Sequence, residues 1–197
     1  SMDIAPDGSR AVFGARGDVF TVPAKHGPTR NLTETPGVHE RDAVWSPDGA
    51  SIAFIGDESG EDEIYVRAQN GSEKPRRVTS NGDTYKYSLA WSPDSKRILW
   101  SDKKNRLQFV DVSSESVTLV DQSPIWEIRD YTWAPDSKWI AYTRPEQRRY
   151  ANIHLYSLDT REKIQVSDGW FDVGDPEFSS DGKYLFFVSE RTFNPTY

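Results

Sequence analysis

Cysteine is absent from all 197 residues and methionine occurs once. The chain therefore has neither a disulfide framework nor a thiolate centre. Histidine is scarce, present as His26, His39 and His154. None of the three has the i, i+4 partner of a helical metal site, and no Gly-x-Ser-x-Gly elbow marks a serine nucleophile. No apolar run approaches membrane-spanning length and no signal peptide is visible, so no membrane partner is expected. A soluble chain is expected, in a cytoplasmic or a periplasmic compartment. Basic charge is in deficit, 24 Lys and Arg against 31 Asp and Glu, and the formal net charge of -7 argues against a nucleic-acid partner. No long stretch carries a helical period. No catalytic residue, metal ligand or cofactor is expected, and no substrate-binding residue is assigned.

The chain has instead one phrase written repeatedly. Trp45-Ser46-Pro47-Asp48-Gly49 returns as Trp91-Ser92-Pro93-Asp94-Ser95 and Trp133-Ala134-Pro135-Asp136-Ser137. Looser copies flank these, Ile4-Ala5-Pro6-Asp7-Gly8 and Phe178-Ser179-Ser180-Asp181-Gly182. A self-similar spacing in the forties is the signature of a repeat architecture. Proline presets φ for the second position of a type I turn, aspartate bonds back to nearby backbone, and glycine takes the left-handed position that closes a hairpin. Ser95 and Ser137 replace that glycine, at a cost of roughly 1 kcal/mol each if left-handed. The repeat residues are thus expected to be structural.

The residues after each turn fall into columns. Ala11, Ile52, Ile98, Ile140 and Leu185 share one position, with Phe13, Phe54, Trp100, Tyr142 and Phe187 two residues later. Period-two spacing puts both columns on one face of a sheet. Third strands are expected at residues 18–22, 63–66, 107–110 and 153–156, and short fourth strands at 30–33, 76–79, 117–120 and 163–166. Four antiparallel strands per unit of this length describe a β-propeller blade. The expected fold is all-β, a single partial propeller over 1–197 with blades at about 3–42, 43–88, 89–130 and 131–175 and a half-blade at 176–197. The inner strands around Ile4, Trp45, Trp91, Trp133 and Phe178 would form a channel wall. A fifth unit that stops after its second strand reads as a piece of a longer ring, and Ser1-Met2 reads as a cloning scar.

Three connections invite other readings. The acidic loop from Asp57 to Glu63 lacks the ligand spacing of an EF-hand, so a solvated hairpin tip is expected. The basic loop from Arg144 to Tyr150 is read as solvated rather than as a patch for an acidic partner, because its flanks are not basic. Trp170 and Phe171 either plug the seam between blades or face a ligand, and seam packing is the expectation.

The Trp-Ser-Pro-Asp-Gly phrase resembles the PD40 (WD40-like) blades of the TolB propeller, the dipeptidyl peptidase IV group and the tricorn proteases. Residues 10–24, residues 30–42 and residues 181–195, the last ending Ser189-Glu190-Arg191-Thr192-Phe193-Asn194-Pro195, look more particularly like tricorn-type enzymes of the S41 serine peptidase group. The resemblance implies a place in the second of two propellers, ahead of a PDZ domain and a catalytic region bearing serine and histidine that lie downstream of this sequence. It implies a non-catalytic segment that guides or gates peptides, with peptides or the other domains of a parent peptidase as partners, and self-association through exposed blade edges as a further possibility. A TolB-like binding propeller and the propeller of a dipeptidyl peptidase-type hydrolase are the alternatives.

Overall fold

Each aspartate phrase folds locally into a turn, and the turns generate the sheets. In the computed structural model, which describes residues 1–147 and 150–190, the last residue of every phrase donates its N–H to the carbonyl of the second. The distances are 2.8 Å for Gly8 to Ala5, Gly49 to Ser46, Ser95 to Ser92 and Gly182 to Ser179, and 2.9 Å for Ser137 to Ala134. That last residue is left-handed in all five, including the serines, with φ of 59° at Ser95 and 60° at Ser137. The aspartate Oδ1 accepts the N–H two residues on, at 2.9 Å from Ser9, Ala50 and Lys138, 3.1 Å from Lys183 and 3.2 Å from Lys96. Where the second residue of the phrase is serine, its hydroxyl donates to the same Oδ1, 2.6 Å at Ser46 and Ser92 and 2.7 Å at Ser179. The serine Oγ in turn accepts the N–H of Ser51, Arg97 and Tyr184, at or one residue before the start of the next strand.

Every regular element among the described residues is a β-strand. The first sheet is β1 (Met2–Ile4), β2 (Arg10–Ala15), β3 (Asp18–Pro23) and β4 (Arg30–Asn31). The second is β5 (Arg41–Trp45), β6 (Ser51–Gly56), β7 (Glu63–Ala68) and β8 (Arg76–Arg77). The third is β9 (Ala90–Trp91), β10 (Arg97–Ser101), β11 (Arg106–Asp111) and β12 (Val117–Gln122). The fourth is β13 (Tyr131–Trp133), β14 (Trp139–Arg144), β15 (Asn152–Ser157) and β16 (Lys163–Gln165), and β17 (Asp172–Phe178) pairs with β18 (Leu185–Glu190) alone. Each sheet is a meander in chain order, so four complete four-stranded sheets and a half are present. Two compact units can be distinguished, Ser1–Lys103 with Gln108–Leu119, and Lys104–Leu107 with the chain from Val120 onward.

The fourth strands of the first two sheets are shorter than expected, for a local reason. After Leu32 and Val78 donate to Val19 and Ile64, the next ladder bond is made by a side chain. The Thr33 hydroxyl accepts the Val19 N–H at 3.0 Å, and Thr79 does the same for Ile64 at 2.8 Å. In β17 the reverse holds, since the strand includes residues 172–175 that read as a crossing. Pro176 has no N–H, and the pairing slips between Gly174 and Glu177 beside a left-handed Asp175.

In the first unit the second sheet is apolar on both faces. Ile52, Phe54 and Tyr65 pack with Val12, Val19, Leu32 and Trp45, while Ala53, Ile55, Ile64 and Val66 pack with Trp91, Ile98, Trp100 and Val110. That is why residues 52–55 form a continuous apolar run instead of alternating. The columns hold in the middle of the chain, where Ile52, Ile98, Ile140, Phe54, Trp100 and Tyr142 are buried. At its two ends they do not: Ala11, Phe13 and Leu185 are half-buried and Phe187 is 40% exposed. Likewise Trp45, Trp91 and Trp133 are buried, Phe178 is half-buried and Ile4 is 59% exposed.

Trp91→Ala is therefore expected to remove about 3–5 kcal/mol of stability and Ile4→Ala under about 0.5 kcal/mol. Urea denaturation of both variants is the check, and equal midpoints would contradict this packing.

Candidate functional site

The repeat residues assemble no chemistry. Pro47, Asp48, Gly49, Pro93, Asp94, Pro135, Asp136, Asp181 and Gly182 lie in the turns, and Trp45, Trp91, Trp133 and Phe178 on the strands that enter them. Their second task is to join neighbouring turns. A Cβ on Gly49 would stand 3.8 Å from Pro6 Cδ, and one on Gly182 would stand 3.8 Å from Pro135 Cδ. Ser95 Oγ accepts the Asp48 N–H at 3.0 Å, a bond glycine cannot make and one that offsets the left-handed strain. Bonds from Ser9 and Ser179 hold the Asp7 and Asp181 carboxyls below the usual range.

Polar side chains that no motif announces gather at the ends of the third strands. Beyond the two threonines, Ser167 accepts the Ile153 N–H at 3.1 Å and donates to Asn152 Oδ1 at 2.8 Å. Thr79 donates to Glu63 Oε2, whose Oε1 takes the Gly82 N–H at 2.7 Å. Lys86, 2% exposed, lies 3.8 Å from Glu63. Burial pushes its ammonium pKa down, against the pull of Glu63, Asp62, Asp102 and Asp83. Asp102 accepts from Gln108 at 3.0 Å, and Gln108 accepts from Asn81 at 3.2 Å. Gln108 stands where the third strands of the first two sheets carry the aromatics Phe20 and Tyr65, and that exception is the sequence signal for this network.

These contacts correct the acidic-loop reading. Glu58, Ser59, Gly60 and Glu61 are exposed, but Asp62 pairs with Arg41 and accepts the Lys86 N–H at 2.8 Å, and Glu63 is buried. Trp170 is 74% exposed and does not plug a seam, while Phe171 is half-buried. In the basic loop Arg144 pairs with Glu146 at 2.8 Å, and Arg148 and Arg149 lie outside the described residues.

Asp121, in β12, follows Val120 as Thr33 follows Leu32, Thr79 follows Val78 and Ser167 follows Val166 just past the shorter fourth strands of the other sheets. Its Oδ2 accepts the Tyr142 hydroxyl at 2.8 Å, its Oδ1 takes Lys163 Nζ at 2.8 Å, and Arg144 Nε stands 3.3 Å away. Burial pushes its carboxyl up, but Lys163, Tyr142 and Arg144 outweigh that and hold it below the usual range. The Tyr142 hydroxyl is pushed far up by burial and by Asp121. His154 stacks on Tyr142 at 5.6 Å with Nε2 3.5 Å from Glu146, and burial and then Arg144 lower its pKa. Among the described residues no serine or threonine hydroxyl bonds to His154, and no group of three His, Cys, Asp or Glu side chains is arranged to hold a metal ion. Both networks tie neighbouring strands together, with Arg144 Nε, His154 Nε2 and Asn81 Oδ1 buried without a hydrogen-bond partner.

A cleft of 590 Å³ lies between the first two sheets, lined by Asn31, Thr33, Glu40, Phe54, Tyr65 and Arg67 among others. The Phe54 and Tyr65 rings stack at 5.6 Å and 12°. Gly56 makes room for them: a Cβ there would meet Tyr65 Cε2 at 3.3 Å and Glu40 Cγ at 3.6 Å. Glu40 is 5% exposed; Thr35 donates to its Oε1, and its Oε2 has no hydrogen-bond partner. Burial raises the Glu40 carboxyl, with Thr35 and Thr33 pulling it down. Arg67 Nη2 donates to the Gly71 carbonyl at 2.7 Å, and its Nε is unpartnered.

Known proteins share this geometry. The family model described as the tricorn protease second beta propeller domain matches residues 1–197. A tricorn protease homolog of Saccharolobus solfataricus is 28% identical over 190 residues, 96% of this chain and 17% of that protein. Tricorn protease homolog 1 of Streptomyces coelicolor is 28% identical over 95% of this chain and 18% of its own length. The crystal structure of the tricorn protease superposes with a TM-score of 0.80 at 19% identity, covering all of this chain and 20% of that one, so the fold is that of a β-propeller. The chain spans under a fifth of the length of these two curated relatives.

Asp121, with its folded pKa lowered, contributes stability above its unfolded pKa of about 3.9 and loses it as pH falls through the folded value. Asp121→Asn is expected to cost about 1.5–3 kcal/mol near neutrality, the usual range for a bond to a charged group, and far less in strong acid. Denaturation midpoints across pH 2–7 are the check, and a penalty that persists undiminished at pH 2 would contradict the ionised network.

Proposed function

The chain belongs to the family of tricorn protease second β-propeller domains, and on that premise we propose that it is a non-catalytic part of a larger peptidase, guiding or gating peptides toward a catalytic region outside this sequence. The observation that carries the reading is a match along all 197 residues to a domain from proteins several times longer. The side chains agree with it. The titratable groups that resemble catalytic machinery, Lys86 with Glu63 and His154 with Glu146, lie within the networks that tie the strands together. On the last sheet Tyr184, Phe186 and Val188 stand exposed. We assign that surface to the rest of the larger protein, with self-association through the same edge as the alternative.

The natural polypeptide is expected to be several times longer than this chain, by intact mass. Within it, a peptide carrying a photoreactive group should label residues of this segment, and unlabelled peptide should suppress the labelling. A natural product only large enough for one ring would remove the peptidase. Labelling confined to other domains would remove the guiding role and leave a scaffold.

A further inference from the structure

In the cleft between the first two sheets two charged groups are left with open valences beside a volume that a ligand could fill. Glu40 Oε2 is buried without a partner at one end, and Arg67 Nε is buried without a partner at the other. Their spacing is set by the sheet. Gly56 pairs with Glu63, and Glu40 lies against Gly56, so Glu40 stands level with Glu63. Arg67 is four residues further along β7, about 13 Å at about 3.4 Å per residue. Alternate residues of a strand share a face, so Tyr65 lies between the two, backed by Phe54.

We propose that this cleft binds a small zwitterion, with a primary ammonium group on Glu40, a carboxylate turned to Arg67 and an apolar body against Tyr65 and Phe54. A buried carboxylate oxygen calls for a donor, and a cation is favoured further by the neighbouring ring face. The guanidinium calls for an acceptor, and a carboxylate suits its planar fork. The volume of 590 Å³ is ample for such a molecule and falls within the roughly 300–1,000 Å³ of small-molecule sites. Glu34, Glu58 and Lys74 at the lining add charge of both signs, as a ligand with two charged ends requires. The inference does not depend on peptide guidance.

The test is calorimetric titration of the natural protein with three probes of similar length, ε-aminocaproate, hexylamine and hexanoate. The zwitterion is expected to bind most tightly and hexanoate least. Glu40→Gln, which keeps the acceptor for Thr35, should weaken both amine-bearing probes by about tenfold or more, the scale of a lost charge-assisted bond. Arg67→Gln should weaken ε-aminocaproate and leave hexylamine unchanged. Thermal melts of each variant without ligand establish that it is folded. No binding of ε-aminocaproate at millimolar concentration overturns the proposal, as does equal binding of the three probes by the unmodified protein, which needs no variant to fold.

Discussion

The turn aspartate carboxylate fixes the register of each first strand pair, and the packing of the sheets depends on that register. Side chains alternate between faces with a period of two, so a one-residue slip would send Ile52 and Phe54 to the opposite face and bring Ala53 and Ile55 back in their place. Asp48 Oδ1 holds the Ala50 N–H while the Ser46 hydroxyl holds both that carboxylate and the Ser51 N–H, so the first residue of β6 is pinned by contacts within six residues. The same bonds recur at Asp94 and Asp181. Local hydrogen bonding thus sets which residues reach the core, and burial of apolar side chains then supplies the stabilisation.

The turns and columns were legible in the sequence because their causes are local. Proline, aspartate and a left-handed glycine act within four residues, and the strand period needs only a handful more. Even the serine replacements at 95 and 137 could be anticipated as strained, although the bond from the Asp48 N–H to Ser95 could not, since it joins turns 47 residues apart. The limits of the columns have a different origin. Ile4, Phe187 and Trp170 carry the same residue types as buried counterparts, but burial depends on what lies across from a face, and periodicity says nothing of that.

The polar networks were illegible for a related reason. Glu63 and Asp62 sit in a run of acids that reads as a solvated tip, yet they are claimed by Thr79, Gly82, Lys86 and Arg41, which arrive from other strands and crossings. Glu40 reads as one more residue of a crossing loop; only the fold brings it over Gly56 and beside Tyr65. One trace lies in the sequence, Gln108 at a position that is aromatic in the first two sheets. It is a departure from an apolar pattern within a repeat, and a repeat makes such departures countable.

Closed and open networks carry different physical meanings. Asp121 is buried with Lys163, Tyr142 and Arg144, which outweigh its desolvation, so no ligand is called for, while Lys86 keeps acidic neighbours close although burial still lowers its pKa. Glu40 has one oxygen served by Thr35 and one served by nothing, and its raised pKa is the sign that burial is not compensated. A buried carboxylate in that condition costs more than an amide or an apolar residue would at the same place. Packing alone does not account for it, because the adjoining space is a cleft and not a filled core. A cationic donor entering that space would supply the missing bond, which turns a local penalty in the empty protein into binding energy in the occupied one.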